Sequence, residues 1–476
     1  MALRWSITLS LVLALFTGCI QRSPAALASL QVEGNLWSAG APAEIRVRAQ
    51  TARQGQSISL TLLTPAAEAH TPQIQRGGDF FGLSGVQLLW LPPEQQETEI
   101  ALAAAAGAQF LGLDFDWRKI EPEAGQFTWE DTDRVVALAG RYGLRLAPML
   151  IYTPLWASSS AYAPLDYHHA PPVKLTDYRE FVYQVVNRYK PPRAEGSIQD
   201  WIIWNEPNVR SANQPPRPGN FWTGSLEGYI QLLRAGYEGA HAADPACNVL
   251  NGALADIFWA EGDADLLTAL ERFYDPNRDG DAGDGGRPFF DTLNIHIYPP
   301  NGEQSWYRAR LEAVIALMKR FGDEQKTIWI TETGFGSVIS PTDTSPYVSE
   351  ETQASRVRQV YETAAMYPQV EKVFWWSLRE YYHDTTEFNT SMEAHYGLLR
   401  ANFAPKPAYL AYARLTGSLA QVITLTAAAG ADGAAQVTFP AEAITQAGNY
   451  VLFATLEPSS TTLVSETIVK VYSVIP

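Results

Sequence analysis

Two cysteines, Cys19 and Cys247, are all that 476 residues contain, so no disulfide framework holds this chain together. Basic residues are in the minority, 35 Lys and Arg against 51 Asp and Glu, and form no run. A chain with a formal net charge of −16 and no cationic cluster has nothing with which to neutralise phosphates, which excludes a general nucleic-acid binder. Long apolar runs are missing as well. Ile7 to Phe16 is ten residues, half of the ~20 that a bilayer-spanning helix needs. What is present is a hydrophobic share of 46% and an aromatic share of 12%, enough for a large core and too much for a disordered or collagen-like chain.

The short apolar run reads as a targeting segment. Arg4 precedes it and Leu15-Phe16-Thr17-Gly18-Cys19 follows, the layout of a charged n-region, an h-region and small residues before a cleavage point. Its end resembles the bacterial lipobox, which implies removal of residues 1–18 and lipidation of Cys19; an ordinary secretory signal is the alternative. Both lead to export. In the first case the protein sits in the cell envelope, touching the membrane through a lipid anchor alone, with Cys247 as its one free thiol.

Residues 19–75 and 416–476 share one rhythm. Glu44-Ile45-Arg46-Val47-Arg48 and Ser57-Ile58-Ser59-Leu60-Thr61-Leu62 alternate with period two, as do Gln436-Val437-Thr438-Phe439 and the stretch from Tyr450 to Ala454, so both ends read as short β segments. Residues 76–415 differ. Eight apolar runs, at Phe80–Leu83, Phe110–Phe115, Leu144–Leu150, Trp201–Trp204, Asn248–Leu250, Leu293–Tyr298, Thr327–Ile330 and Val373–Trp376, alternate with helix-period stretches. Continuous apolar strands separated by helices predict an α/β fold with a parallel sheet, and eight of them predict a (β/α)₈ TIM barrel flanked by β segments. No glycine-rich phosphate fingerprint follows the first strand, which argues against a dinucleotide fold.

Active sites of such barrels lie at the carboxyl ends of the strands. Read in order, those ends offer Asp114 and Trp117, Tyr152 and Trp156, Asn205 and Glu206, His296 and Tyr298, Glu332, and Trp375 with Trp376. Glu206 and Glu332 are 126 positions apart, yet each ends an apolar strand and should face the same opening.

Trp204-Asn205-Glu206-Pro207-Asn208 and Ile330-Thr331-Glu332-Thr333-Gly334 resemble the fourth-strand and seventh-strand signatures of glycoside hydrolase clan A, nearest its families 39 and 5. Trp117-Arg118-Lys119-Ile120-Glu121-Pro122, Thr153-Pro154-Leu155-Trp156-Ala157, His296-Ile297-Tyr298 and Trp375-Trp376 extend the resemblance in barrel order over roughly residues 80–412. It implies a retaining glycosidase acting on β-linked glycans, with a carbohydrate substrate and no cofactor required for catalysis. By position Glu206 is the acid/base, expected to titrate high, and Glu332 the nucleophile, expected to stay ionised. Asn205 would bind the sugar 2-hydroxyl, Tyr298 would orient Glu332, His296 would line the same subsite, Trp375 would floor the sugar ring, and Trp156 would line a neighbouring subsite.

One position departs from the pattern. Many clan A sequences carry an arginine five residues before the equivalent of Trp117, where it bonds the nucleophile; here that residue is Gly112. Arg118 is the candidate substitute. The departure keeps a second reading open, a catalytically weak or inactive carbohydrate-binding envelope lipoprotein.

A further acidic stretch, Asp275-Pro276-Asn277-Arg278-Asp279-Gly280-Asp281 with Asp284, begins like an EF-hand loop, but its twelfth position is Gly286 rather than a bidentate Glu. It reads either as a structural calcium site formed by Asp275, Asn277, Asp279, Asp281 and Asp284 or as a solvated turn.

Overall fold

The computed structural model describes residues 30–33, 43–49, 54–66, 74, 76, 79–86, 88–160, 167–209, 221–256, 265–280, 283–299, 303–337, 348–380, 392–440, 443–444, 448–456 and 466–474. Cys19, the segment 1–18 and Asp281 lie outside the described residues.

The chain begins with β1 (Leu30–Glu33), β2 (Ala43–Ala49) and β3 (Ser57–Pro65). The central region then supplies β4 (Phe81–Val86), β5 (Phe110–Asp116), β6 (Arg145–Ile151), β7 (Asp200–Ile203), β8 (Asn248–Asn251), β9 (Leu254–Asp256), β10 (Leu293–Ile297), β11 (Ile328–Thr333) and β12 (Val370–Trp376). These nine are parallel neighbours in the order β8-β7-β6-β5-β4-β12-β11-β10-β9. The two terminal members are consecutive pieces of one strand, interrupted at Gly252 and Ala253, and a parallel bridge from Leu250 to Thr292 joins β8 to the residue before β10. The eight expected strands thus form a ring, the fifth of them broken. Gly252 is required at the break, because a Cβ there would stand 2.6 Å from the Ile203 carbonyl oxygen and 2.8 Å from the Trp204 carbonyl carbon.

Side-chain parity fixes what faces inward. Phe110, Trp329 and Phe374 meet inside the ring at centroid distances of 5.4, 5.9 and 6.0 Å. Phe115 and Trp201 turn outward and pack at 6.4 Å under the helix Leu175–Tyr189. Caps decide where the active-site loops stop and the helices begin: Ser225 Oγ accepts from the Gly228 N–H at the start of Leu226–Ala243, and Ser349 Oγ accepts from Thr352 N–H at the start of Glu350–Ala364.

The two ends of the chain form one unit rather than separate modules. β13 (Leu419–Ala428), β14 (Ala434–Phe439), β15 (Gly448–Leu456) and β16 (Glu466–Val474) interleave with the N-terminal strands in two antiparallel sheets, β1-β2-β14 and β13-β3-β15-β16. Ile45, Val47, Leu60, Leu62, Phe439 and Leu452 fill the space between them. The other face of β15 presents Val451 and Phe453 to the barrel's core, where Phe453 meets Tyr409 edge-on at 6.3 Å. Among the described residues no helix is long and apolar enough to cross a membrane.

Candidate active site

Glu206 follows β7 on a backbone that is strained twice, with φ of 75° at Trp204 and 40° at Glu206. Positive φ at non-glycine residues costs on the order of 1–3 kcal/mol each and persists where surrounding structure enforces it. The enforcement is visible. The Asn208 amide mimics a strand edge, donating to the Ala255 carbonyl at 2.8 Å and accepting from the Ala255 N–H at 2.9 Å. The Trp204 indole N–H donates to the Phe221 carbonyl at 2.7 Å. Tyr229 donates its hydroxyl to the Ile203 carbonyl and accepts from the Gly252 N–H. The segment carrying Glu206 is tied on three sides.

Glu332 lies within β11, and a register shift in the β10–β11 ladder pairs His296 with Glu332 instead of Thr331. Through that shift both Thr331 and Glu332 address the His296 ring. Nδ1 of His296 is 2.8 Å from Glu206 Oε1 and 3.5 Å from Glu332 Oε2, while Nε2 is 3.0 Å from Thr331 Oγ1. Tyr298 donates to Glu332 Oε2 at 2.6 Å. One oxygen of each glutamate and a ring nitrogen of His296 all lie within 4.8 Å of one another. These three groups are also the set among the described residues close enough to share an ion, but the 2.8 Å contact is a hydrogen bond, shorter than the ~3.3 Å between two ligands of a tetrahedral metal with ~2.0–2.1 Å bonds.

Burial sets the electrostatics. Glu206 is pushed up to about 8 by desolvation alone. Glu332 is also raised, to about 7, by desolvation first; the negative charges of Glu206 and Asp114 add to this, while His296 and the Tyr298 hydrogen bond oppose it. Glu206 is raised as the sequence leads one to expect, but Glu332 is raised as well and is not held in the ordinary carboxylate range. Gly112 brings it no side-chain cation, where the sequence resemblance leads one to expect an arginine. Arg118 does not substitute for it: its guanidinium pairs with Asp116 at 2.7 Å and lies 4.6 Å above the Tyr152 ring. Asp114, the third carboxyl at the mouth, is raised to about 7 by desolvation and by Asp116, with Tyr152 Oη 3.5 Å away. His296 is fully buried, and desolvation lowers its pKa against the opposing pull of the Glu332 charge, which favours the neutral ring.

Asn205 is 5% exposed and its Oδ1 has no partner among the described residues, as expected of an acceptor reserved for a ligand hydroxyl. Trp156 packs edge-on against Trp117 at 5.6 Å and donates to the Glu121 carbonyl, a rim cluster separate from the two glutamates. Trp375 is corrected. It is fully buried, its indole N–H donates to the Tyr396 carbonyl, and it cannot floor a sugar. Trp376, one residue on and so on the opposite face of β12, is the half-buried ring beside Tyr298 and Tyr396, at 6.4 and 5.0 Å. The signal that finds it is the strand's alternation: Phe374 points inward, so Trp376 does too. Thr331, Asn294 and Tyr396 were not singled out by the sequence reading; nothing in their local strings marks them.

In the acidic turn, both Asp275 oxygens accept backbone N–H groups, of Asp279 at 3.1 Å and Gly280 at 2.9 Å, and the Asn277 amide donates to Asp284.

Comparison with known proteins fits this geometry. Residues 180–402 match the family described as glycosyl hydrolase catalytic core. A 53-residue stretch, 11% of this chain, is 40% identical to the β-galactosidase BgaH of Haloferax lucentense, and the match takes in 8% of that relative's length. Among solved structures, GH5_18 from Streptomyces cattleya in complex with GlcNAc is similar at a TM-score of 0.53 and 16% identity, over 71% of this chain and 80% of that one. A glucosidase from Croceicoccus marinus is similar at a TM-score of 0.51 and 11% identity, over 86% of this chain and 84% of that one. Over residues 180–402 the chain is therefore similar to a glycosyl hydrolase catalytic core, and its barrel has the fold of TIM-barrel glycoside hydrolases.

Proposed function

We propose that this protein is a retaining glycoside hydrolase that cleaves β-linked bonds of an oligo- or polysaccharide through a glycosyl-enzyme. The observation that carries the reading is the approach of Glu206 and Glu332, whose oxygens lie within 4.8 Å across His296. That leaves no room for the water an inverting pair holds across ~6.5–9.5 Å, and matches a pair in which one carboxylate attacks directly. Glu332, its Oε2 held by Tyr298, attacks the anomeric carbon with Oε1 as Glu206 gives its proton to the departing oxygen. Glu206, now a carboxylate, then takes a proton from the water that releases the sugar. Asn205 Oδ1 accepts from the 2-hydroxyl, and Trp376 lines the ring's apolar face. The bound sugars named for the similar structures, GlcNAc and Manβ1-4GlcNAc, support a β-linked hexose or N-acetylhexosamine substrate.

The deciding experiment uses the chain without residues 1–18 on a panel of aryl β-glycosides and β-linked oligosaccharides, with Glu332→Gln in parallel. Turnover abolished by the substitution, together with a glycosyl-peptide trapped at Glu332, supports the proposal. Binding without turnover selects the second reading, a carbohydrate-binding protein, which the lost arginine at position 112 and the raised Glu332 favour.

Export and anchoring at Cys19 are part of the same proposal. Labelled palmitate incorporated by the full chain and lost in Cys19→Ala would support it. Calcium at Asp275, Asn277, Asp279, Asp281 and Asp284 is tested by the thermal midpoint, which calcium should raise and a chelator lower.

A further inference from the structure

Nδ1 of His296 faces two carboxyl groups at once, Glu206 at 2.8 Å and Glu332 at 3.5 Å. A neutral imidazole has one N–H and one lone pair, so the tautomer matters. A lone pair at Nδ1 would confront the ionised nucleophile, and would draw the Glu206 proton onto Oε1, away from a departing glycosidic oxygen. An N–H at Nδ1 serves both groups. Nε2 is then an acceptor, and the Thr331 hydroxyl, 3.0 Å away, must donate to it. In the structure Thr331 Oγ1 lies 2.7 Å from Asn294 Oδ1 and donates to it; once the hydroxyl is turned to Nε2, Oγ1 must instead accept from the Asn294 amide.

Reversing the Asn294 amide, so that Nδ2 faces Thr331 where the structure has Oδ1, meets this demand. With Oδ1 there instead, Nδ2 is buried with no partner among the described residues, and orphaned N–H groups are rarer than under-satisfied carbonyl oxygens. The backbone of Asn294 is itself fixed by Asn251, whose side chain accepts from its N–H at 2.8 Å and donates to its carbonyl at 3.0 Å. Asn294, His296 and Thr331 are all 2% exposed or less.

We propose that Asn294 and Thr331 are positioning residues of a one-way hydrogen-bond chain. It runs from Asn294 Nδ2–H to Thr331 Oγ1, from the Thr331 hydroxyl to His296 Nε2, and from His296 Nδ1–H to Glu206 Oε1 and Glu332 Oε2. The chain holds His296 in the Nδ1–H form, keeps Glu206 Oε2 free to carry the catalytic proton, and gives Glu332 a donor where an arginine is missing. The roles of the two glutamates rest on the proposed function; the tautomer does not. Other groups around the pair are Tyr298, which also donates to Glu332 Oε2, and Asp114, which opposes its ionisation, while Arg118 is engaged by Asp116.

The test is nitrogen NMR of the unliganded chain labelled at histidine, with the His296 signals assigned by their loss in His296→Gln. The expected result is a protonated Nδ1 and a bare Nε2. Thr331→Val should lose that tautomer, lower kcat/KM about ten- to a hundredfold, the range for a hydrogen bond to a charged group, and move the acidic limb of the profile upward. Thr331→Ser should retain both the tautomer and the limb, and thermal midpoints check that each variant folds. An Nε2–H tautomer in the parent, or an unmoved acidic limb in Thr331→Val, overturns the proposal. Absence of turnover on every glycoside would sink the functional reading and leave the tautomer measurement standing, so the two failures are distinguishable.

Discussion

The hydroxyl of Ser84 occupies the space into which a side chain at position 112 would project: a Cβ built on Gly112 stands 2.7 Å from Ser84 Oγ and 3.3 Å from Ser84 Cβ. Ser84 of β4 thus fills the space beside Gly112, and the inner wall is closed there. Gly112→Ala should cost about 1–3 kcal/mol through overpacking, and Ser84→Gly in the same chain should recover most of it. Chemical denaturation of the single and double variants measures both; equal stability of Gly112→Ala and the parent would show that the wall yields.

Without an arginine at position 112 the pH dependence should be narrow and shifted upward. Glu332 must be ionised to attack and Glu206 protonated to donate, with values near 7 and 8, so kcat/KM should fall below about pH 7 and again above about pH 8. The two carboxyls are coupled, and the limbs belong to the pair. An acidic limb near pH 4–5 would mean that the ionised Glu332 is stabilised by something beyond His296 and Tyr298.

The same burial carries a cost in stability. Carboxyls whose folded values lie above their ordinary 3.8 (Asp114) and 4.5 (Glu206 and Glu332) bind more protons folded than unfolded, so stability falls as pH rises from about 4 through 8 and then levels off. Glu332→Gln removes an ionisation and should raise the thermal midpoint more at pH 9 than at pH 5. A gain of the same size at both values would contradict the linkage.

How much of this was readable beforehand follows from which interactions are local. The eight strands were legible because strands buried on both faces are continuous apolar runs, and the glutamates because each directly follows or ends such a run. Trp375 was misassigned because two adjacent tryptophans carry no parity of their own; the inward side of β12 is set by Phe374 against Phe110 and Trp329, residues of other strands. The pairing of β3 with β13 joins residues more than 350 positions apart, which alternation alone cannot specify. Thr331 was hidden by a register shift: alternation gives Thr331 and Glu332 opposite faces, and only the irregularity after Ile295 lets both reach His296.

Asn208 offers a direct check on how Glu206 is held. Asn208→Ala would leave the buried N–H and carbonyl of Ala255 unpaired, at roughly 1–3 kcal/mol each. The denaturation midpoint should fall accordingly. Because the strap sits two residues from Glu206, kcat should fall with it while the affinity for a bound sugar changes little. A variant with lowered stability and unchanged kcat would show that the strained backbone at Trp204 and Glu206 is held by the remaining ties.

The two adjacent tryptophans of β12 should fail in different ways. Trp375 is enclosed and bonded to the Tyr396 carbonyl, so Trp375→Ala should destabilise by about 3–5 kcal/mol, with activity lost only as the folded fraction falls. Trp376 is half-buried beside Tyr298, so Trp376→Ala should leave much of the stability intact and raise KM through the lost apolar floor. Trp376→Phe, which keeps an aromatic face, should recover part of the affinity. Denaturation midpoints and KM measured on both variants separate the roles, and a KM effect in Trp375→Ala at full folding would reverse the assignment.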